Sequence, residues 1–297
     1  MPTRPNTDHH HRRSIWMMLA AVLMFALMDA GLKTLSARYP PLQVATMRGL
    51  SSLPLVLAWT LWTVGLKPLL RVRWPLHLLR GMLGIVMMGS FVYALKRLPL
   101  STAYSIFFVA PLLITALSVP ILGEKVGLRR WTAIGIGLIG VLTVLRPTGE
   151  GVFTAAGLAV LVAALAYAVS AITVRVLART DSNQAMVVWL LLMMAVGAGA
   201  LAWPQWVPVR LQDGWIIAVI GVAGSLGQYT ITEAFRRGEA SLIAPLEYTA
   251  LVWGVALDLA FWGVLPDAVT WLGAAIIISS GLYLLRRERV HAEAEHP

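Results

Sequence analysis

Hydrophobic positions in this chain come in long runs, not in alternation. Polar, proline or glycine boundaries mark ten of them: 15–35, 42–64, 76–95, 101–122 and 130–145, then 152–177, 184–203, 214–235, 241–262 and 270–285. An α-helix needs about 20 apolar residues to cross a bilayer core. The pattern predicts an all-α integral membrane protein of ten transmembrane helices. The polar stretch Arg146-Pro-Thr-Gly-Glu-Gly151 falls between two groups of five. The expected organisation is an N-terminal tail (1–14), a first five-helix unit (15–146), a linker (147–151), a second five-helix unit (152–286) and a C-terminal tail (287–297).

The two units are related. A shift of 140 residues brings Gly81 onto Gly221, Gly84 onto Gly224, Ala94 onto Ala234, Arg97 onto Arg237 and Ser101 onto Ser241. It also brings Gly123 onto Gly263, Trp131 onto Trp271 and Arg146 onto Arg286, with no gap. Duplication in an apolar chain is a signature of carriers built from internal repeats. Five spans per unit is an odd number, so the second unit must sit upside down relative to the first. The loops agree at one equivalent pair: residues 123–130 carry three basic side chains and residues 263–270 carry none. Lys96-Arg97 against Arg236-Arg237 is the exception.

Composition removes the soluble alternative. Only 13% of the 297 residues are charged, 58% are hydrophobic and the mean hydropathy is +0.75. A soluble domain carries about 25% charged residues, so the lipid bilayer is the expected partner of most of this surface. The net charge of +10 does not point to nucleic acid, because the basic residues are dispersed at the ends of apolar runs instead of gathered on one face. They set orientation instead. Of 24 Lys and Arg, 16 fall on the side that holds both termini, six on the other, and Arg48 and Arg80 lie inside runs. With short loops throughout, the positive-inside rule makes both termini cytoplasmic. Residues 1–13 lead into a run that carries Asp29 and Lys33 without a small-residue cleavage signature. The first run is read as a retained helix.

Enzyme fingerprints do not survive their context. Gly135-Ile-Gly-Leu-Ile-Gly140 satisfies the dinucleotide pattern, but it lies within an apolar helix where small residues serve close packing. Ala223-Gly-Ser-Leu-Gly227 misses a nucleophile elbow at its first glycine. The chain has no cysteine, which removes disulfides and thiolate chemistry. His9–His11 reads as a solvated tail. No catalytic group, cofactor or metal is expected; a membrane-embedded enzyme or scaffold is the reading of another class.

Polar groups inside the runs carry the functional signal, because charge within the bilayer faces a bundle interior or a wet cavity. Arg80 and Lys33 read as end-of-helix residues, Asp29 and Arg48 as a pair across the first two helices, and Asp258 as structural. Aromatic walls with a few hydrogen-bonding groups suit small amphipathic solutes. The candidate substrate-binding residues are Tyr93, Tyr104, Tyr167, Gln228, Glu247 and Tyr248. Pro111, Pro120 and Pro245 are placed to bend their helices. Solute contacts are expected where the two copies differ, as at Phe107 against Glu247, Tyr93 against Glu233 and Met88 against Gln228.

At Leu98-Pro-Leu-Ser-Thr-Ala103, Pro111-Leu-Leu, Gly123-Glu124-Lys125 and Trp131-Thr-Ala-Ile-Gly-Ile-Gly-Leu-Ile-Gly-Val141, the chain resembles the EamA-type branch of the drug/metabolite transporter superfamily. Ala30-Gly-Leu-Lys-Thr-Leu through Met47-Arg48-Gly49 also looks like that family's first two helices. The resemblance covers nearly the whole chain as two tandem units, and within the family the YddG-like exporters of aromatic and other amino acids are closest in character. Val264 stands where a second Glu124 would fall, so that acid is not duplicated. The resemblance implies a bacterial inner-membrane carrier exporting amino acids or similar metabolites through a cavity between the halves. A drug or S-adenosylmethionine-type carrier of the same fold is the alternative.

Overall fold

The computed structural model describes residues 7–123, 127–145, 154–237 and 244–295. The expected linker 147–151 and Glu124 lie outside them. Among the described residues there is no strand. The long helices are α1 (Thr7–Ser36), α2 (Pro41–Thr63), α4 (Trp74–Leu95), α7 (Leu128–Leu145), α8 (Ala155–Leu177), α11 (Gly214–Arg237) and α13 (Ala268–Glu295). Shorter pieces complete the set: α3 (Lys67–Leu70), α5 (Leu100–Phe107), α6 (Ala110–Leu122), α9 (Asn183–Met193), α10 (Gly199–Ala202) and α12 (Ala250–Leu257). Seven helical segments among the described residues are long and apolar enough to span a membrane: 13–36, 41–63, 74–95, 100–121, 155–177, 183–205 and 211–234. The exterior carries large apolar side chains, including Met82, Ile139, Val196 and Leu272, as a lipid-facing surface requires.

Several runs are single spans interrupted within. α5 gives way to α6 at Phe108–Val109, and Pro111 sits in the first turn of α6. A proline there has no N–H to donate and clashes with the carbonyl four residues back, so the helix restarts. Pro120 and Pro54 lie inside their helices. Pro245 falls in a 3₁₀ turn, Ala244–Thr249, that leads into α12. Two π turns, Met194–Ala198 and Asp258–Trp262, interrupt the seventh and ninth runs. Such turns recur at functional sites.

The most extensive helix contacts join the two halves of the chain: α1 lies along α11, α4 along α8, and α7 along α13. Backbones touch where glycine permits. A Cβ on Gly140 would stand 3.0 Å from the Gly273 carbonyl oxygen, and one on Gly273 would stand 2.8 Å from that of Gly140. A Cβ on Gly221 would stand 2.6 Å from the Ser51 carbonyl oxygen of α2. The superposed pair Gly123 and Gly263 ends α6 and the second π turn alike, at φ 71° and 65°, the left-handed cap that glycine adopts without strain.

Candidate functional site

Construction of the site begins at Asp258. Its side chain is fully buried in the second π turn and caps a helix belonging to the other half of the chain. Oδ1 accepts the Leu100 N–H at 3.0 Å, and Oδ2 accepts the Ser101 N–H at 2.8 Å and the Ser101 hydroxyl at 2.7 Å. These are the orphan donors at the start of α5, where the helix dipole also favours negative charge. Lys33, at the end of α1, donates to Oδ1 at 2.9 Å and lies 4.3 Å from the centroid of the Trp262 ring. Lys33 and Asp258 thus form one buried structural knot.

One turn further along α5, Tyr104 donates its hydroxyl to Asp29 Oδ2 at 2.8 Å. The ring fits because Gly254 of α12 has no side chain to displace it; a Cβ there would stand 2.8 Å from the ring. Arg48, on α2, is within Coulombic reach of Asp29. It does not pair with it directly: Arg48 donates from Nε to the Met28 thioether at 3.2 Å and from a terminal nitrogen to the Met194 thioether at 3.7 Å. The expected Asp29–Arg48 pairing is therefore an electrostatic neighbourhood, with the direct bond to Asp29 made by Tyr104.

A second cluster forms around Tyr167 on α8, whose hydroxyl is within the field of both Arg80 on α4 and Glu247 on the 3₁₀ turn. Arg80 donates to the Met186 carbonyl at 2.7 Å, while its Nε is buried without a partner. Phe107 lies beside Tyr167 with centroids 5.5 Å apart. Phe107 and Glu247 are the positions that the 140-residue shift superposes, and both approach Tyr167. Next to Glu247, Tyr248 packs against Phe108 at 5.0 Å, and its buried hydroxyl lies against Gly281 without a hydrogen bond.

An aromatic ladder links the two clusters. Tyr104 and Phe91 are 6.4 Å apart, Phe91 and Phe107 5.6 Å, and Phe107 and Tyr167 5.5 Å. Tyr104 and Phe91 are buried, whereas Tyr167 is 39% exposed. Of the six sequence-predicted residues, Tyr104 thus belongs to one cluster and Tyr167, Glu247 and Tyr248 to the other. Gln228 is half-buried on α11. Tyr93 stands near the end of α4 with the Arg97 guanidinium 4.1 Å from its ring centroid. Sequence reasoning did not find Phe91, Met28 or Met194; an aromatic or a methionine in an apolar run gives no local sign of what it touches. Arg48 and Arg80 give a sign in the sequence as cations inside runs, though Arg80 reads there as an end-of-helix residue.

The connections are clamped at separate places. Asp213 accepts the Tyr39 hydroxyl at 2.7 Å and pairs with Arg38. Asp181 accepts the Arg73 N–H at 3.1 Å and bonds His77 Nε2 at 2.8 Å. A cavity of about 610 Å³ between α2, α9 and α11 is lined by Trp59, Trp62, Gln184, Tyr229 and Glu233 among others. Trp62 on its lining is 90% exposed, and none of the residues of either cluster lines it. Charged groups converging inside the bundle make the ladder the stronger candidate.

Comparison with known proteins decides the family. The EamA-like transporter family matches the chain twice, over residues 12–146 and 154–286. The chain belongs to the EamA-like transporter family. This EamA-like transporter is a multi-pass membrane protein. It is 30% identical over 292 residues to a riboflavin transporter of Vibrio cholerae, spanning 97% of each chain. It is 24% identical to the pseudopaline exporter of Pseudomonas aeruginosa, over 94% of this chain and 98% of that one. An S-adenosylmethionine uptake transporter of Rickettsia prowazekii is 27% identical over 95% of each. A crystal structure with a TM-score of 0.63, 20% identical over 93% of this chain and 99% of that one, shares the fold. The small-molecule carriers named here differ in cargo and direction, so the family establishes transport of a small molecule and leaves the solute to the site.

Proposed function

We propose that this chain is a secondary carrier of the bacterial inner membrane that exports amino acids, aromatic ones included, or similar small metabolites by alternating access. The observation that carries this reading is that Arg80, from the first half, and Glu247, from the second, both lie within electrostatic range of Tyr167 in an apolar bundle. Charged and hydroxyl groups there suit the ends of an amino acid, and the aromatic ladder suits its side chain. Tyr104, Tyr167, Gln228, Glu247 and Tyr248 line the path, with Tyr93 at its rim. The architecture is ten spans in two inverted five-helix units, 15–146 and 152–286 joined through 147–151, with short tails and both termini cytoplasmic. The contacts of α1 with α11 and of α4 with α8 support this, because an inverted repeat makes them equivalent. Rocking of the halves would then expose the path to each side in turn.

A second reading is favoured by the Rickettsia relative: an S-adenosylmethionine-type carrier, whose solute joins an amino-acid group to a cationic and aromatic body. One experiment separates the readings. Proteoliposomes are loaded with labelled phenylalanine, S-adenosylmethionine or riboflavin, with and without a pH gradient. Protein-dependent flux of phenylalanine is expected. Flux of S-adenosylmethionine alone favours the second reading, and flux of riboflavin alone sinks both.

A further inference from the structure

The structure assigns Arg48 and Asp29 as a recognition site for the two charged ends of a small zwitterion, with Arg48 taking the anionic end and Asp29 the ammonium. This deepens the transport reading and rests on it for its purpose, but not for its test. Four observations carry it.

First, Arg48 stands two turns inside α2, a cation deep in an apolar run, and remains only half-buried. Second, its hydrogen bonds go to two thioethers, those of Met28 and Met194. Thioethers are weak acceptors and neutralise no charge, and a guanidinium has five donors. Third, among the described residues no carboxylate comes within 4.0 Å of Arg48. The nearby acid, Asp29, has one oxygen occupied by Tyr104, and among the described residues nothing donates a hydrogen bond to the other. Fourth, the tyrosine bonded to Asp29 is the Tyr104 end of the aromatic ladder, with Phe91 next along it.

A cation and an anion in a bilayer core would gain most from direct contact. Here each is held just apart, by sulfur on one side and a tyrosine on the other. A zwitterion would supply what each lacks: its carboxylate completes the donors of Arg48 and its ammonium completes Asp29. The pair lies at the Tyr104 end of the ladder, opposite Arg80, Tyr167 and Glu247. The bundle would offer charged groups at both ends of one aromatic path.

The test uses the purified full chain in detergent with three probes: phenylalanine, phenethylamine, which lacks the carboxylate, and 3-phenylpropionate, which lacks the ammonium. Thermal unfolding is followed for the wild type, R48M, R48K and D29N. Methionine extends the thioether surroundings of Arg48, and asparagine keeps an acceptor for Tyr104, so the variants are expected to fold; ligand-free melting checks this. In the wild type, phenylalanine should act at about tenfold lower concentration than either analogue, the worth of one charge-assisted contact. R48M should lose the preference over phenethylamine, R48K should keep part of it, and D29N should lose the preference over 3-phenylpropionate. A wild type that does not respond to phenylalanine, that treats the three probes alike, or variants that keep its full preference would each overturn the assignment. Phenylalanine flux in proteoliposomes is measured in parallel. Binding without flux removes the amino-acid transport reading and leaves the site standing, whereas flux indifferent to all three substitutions removes the site alone.

Discussion

Asp258 and Ser101 are 157 residues apart in the chain, yet one carboxylate oxygen of Asp258 accepts both the N–H and the hydroxyl of Ser101. With Lys33 on the other oxygen, this contact ties α1, α5 and the turn after α12 into one knot. The knot fixes the end of α5 from which Tyr104 reaches Asp29, so it positions part of the candidate path without being part of it.

Replacing Asp258 by Asn should therefore cost stability before it costs recognition. Lys33 would be left as a buried cation without its partner, a loss of about 3 kcal/mol or more. Ser101→Ala removes one hydrogen bond and should cost ~1 kcal/mol. Thermal unfolding in detergent measures both. Equal effects would show that Lys33 draws no stability from Asp258.

Glycines of the Gly135–Gly140 stretch should separate by position. Gly135 faces open space, so Gly135→Ala should stabilise the helix by about 0.8 kcal/mol. Gly140→Ala puts a Cβ against the Gly273 carbonyl and should destabilise by about 1–3 kcal/mol. Melting temperatures that move together would contradict the contact of α7 with α13. A nucleotide turn would instead tie both glycines to nucleotide binding.

Asp181, in the connection between α8 and α9, gives a pH-dependent expectation. Burial works against its charge, but hydrogen bonds from Thr180, the Arg73 N–H and His77 outweigh it and hold the carboxyl below its ordinary 3.8. A carboxylate depressed in the folded state adds stability above its unfolded pKa and loses it as pH falls through the folded value. Asp181→Asn should melt lower than wild type at neutral pH, and the gap should close as pH falls below about 3.8. A gap that is constant down to pH 3 would remove the charge from the explanation.

Glu247→Gln keeps the shape of the side chain and removes its charge from the surroundings of Tyr167. The expected outcome is altered flux, or flux with an altered pH profile, at unchanged melting temperature. Flux identical to wild type across pH would take Glu247 out of the mechanism.

Much of the scaffold was legible in the sequence because its causes are local. Apolar runs of bilayer length announce helices whatever they pack against. Gly123 and Gly263 superpose in the sequence and adopt the same left-handed cap. Asp258 was readable as structural from its place near the end of a run. The break at Phe108–Val109 was only partly legible: Pro111 signals a bend, but where the helix stops and restarts depends on what surrounds it. The turn at Ala244–Thr249 is the same case with Pro245.

The sequence by itself determined that this chain lives in a bilayer, that it is built from two related halves, and which few charges must be accounted for inside it. Those conclusions follow from hydropathy and spacing along the chain, which no neighbour can alter. Only the tertiary structure decided the partners. Lys33 meets Asp258 across 225 residues, Tyr104 meets Asp29 across 75, and Arg48 rests on Met194 across 146. In an apolar interior an unpartnered polar group is costly, but the side of the helix it faces and the helix packed there decide which partner it finds.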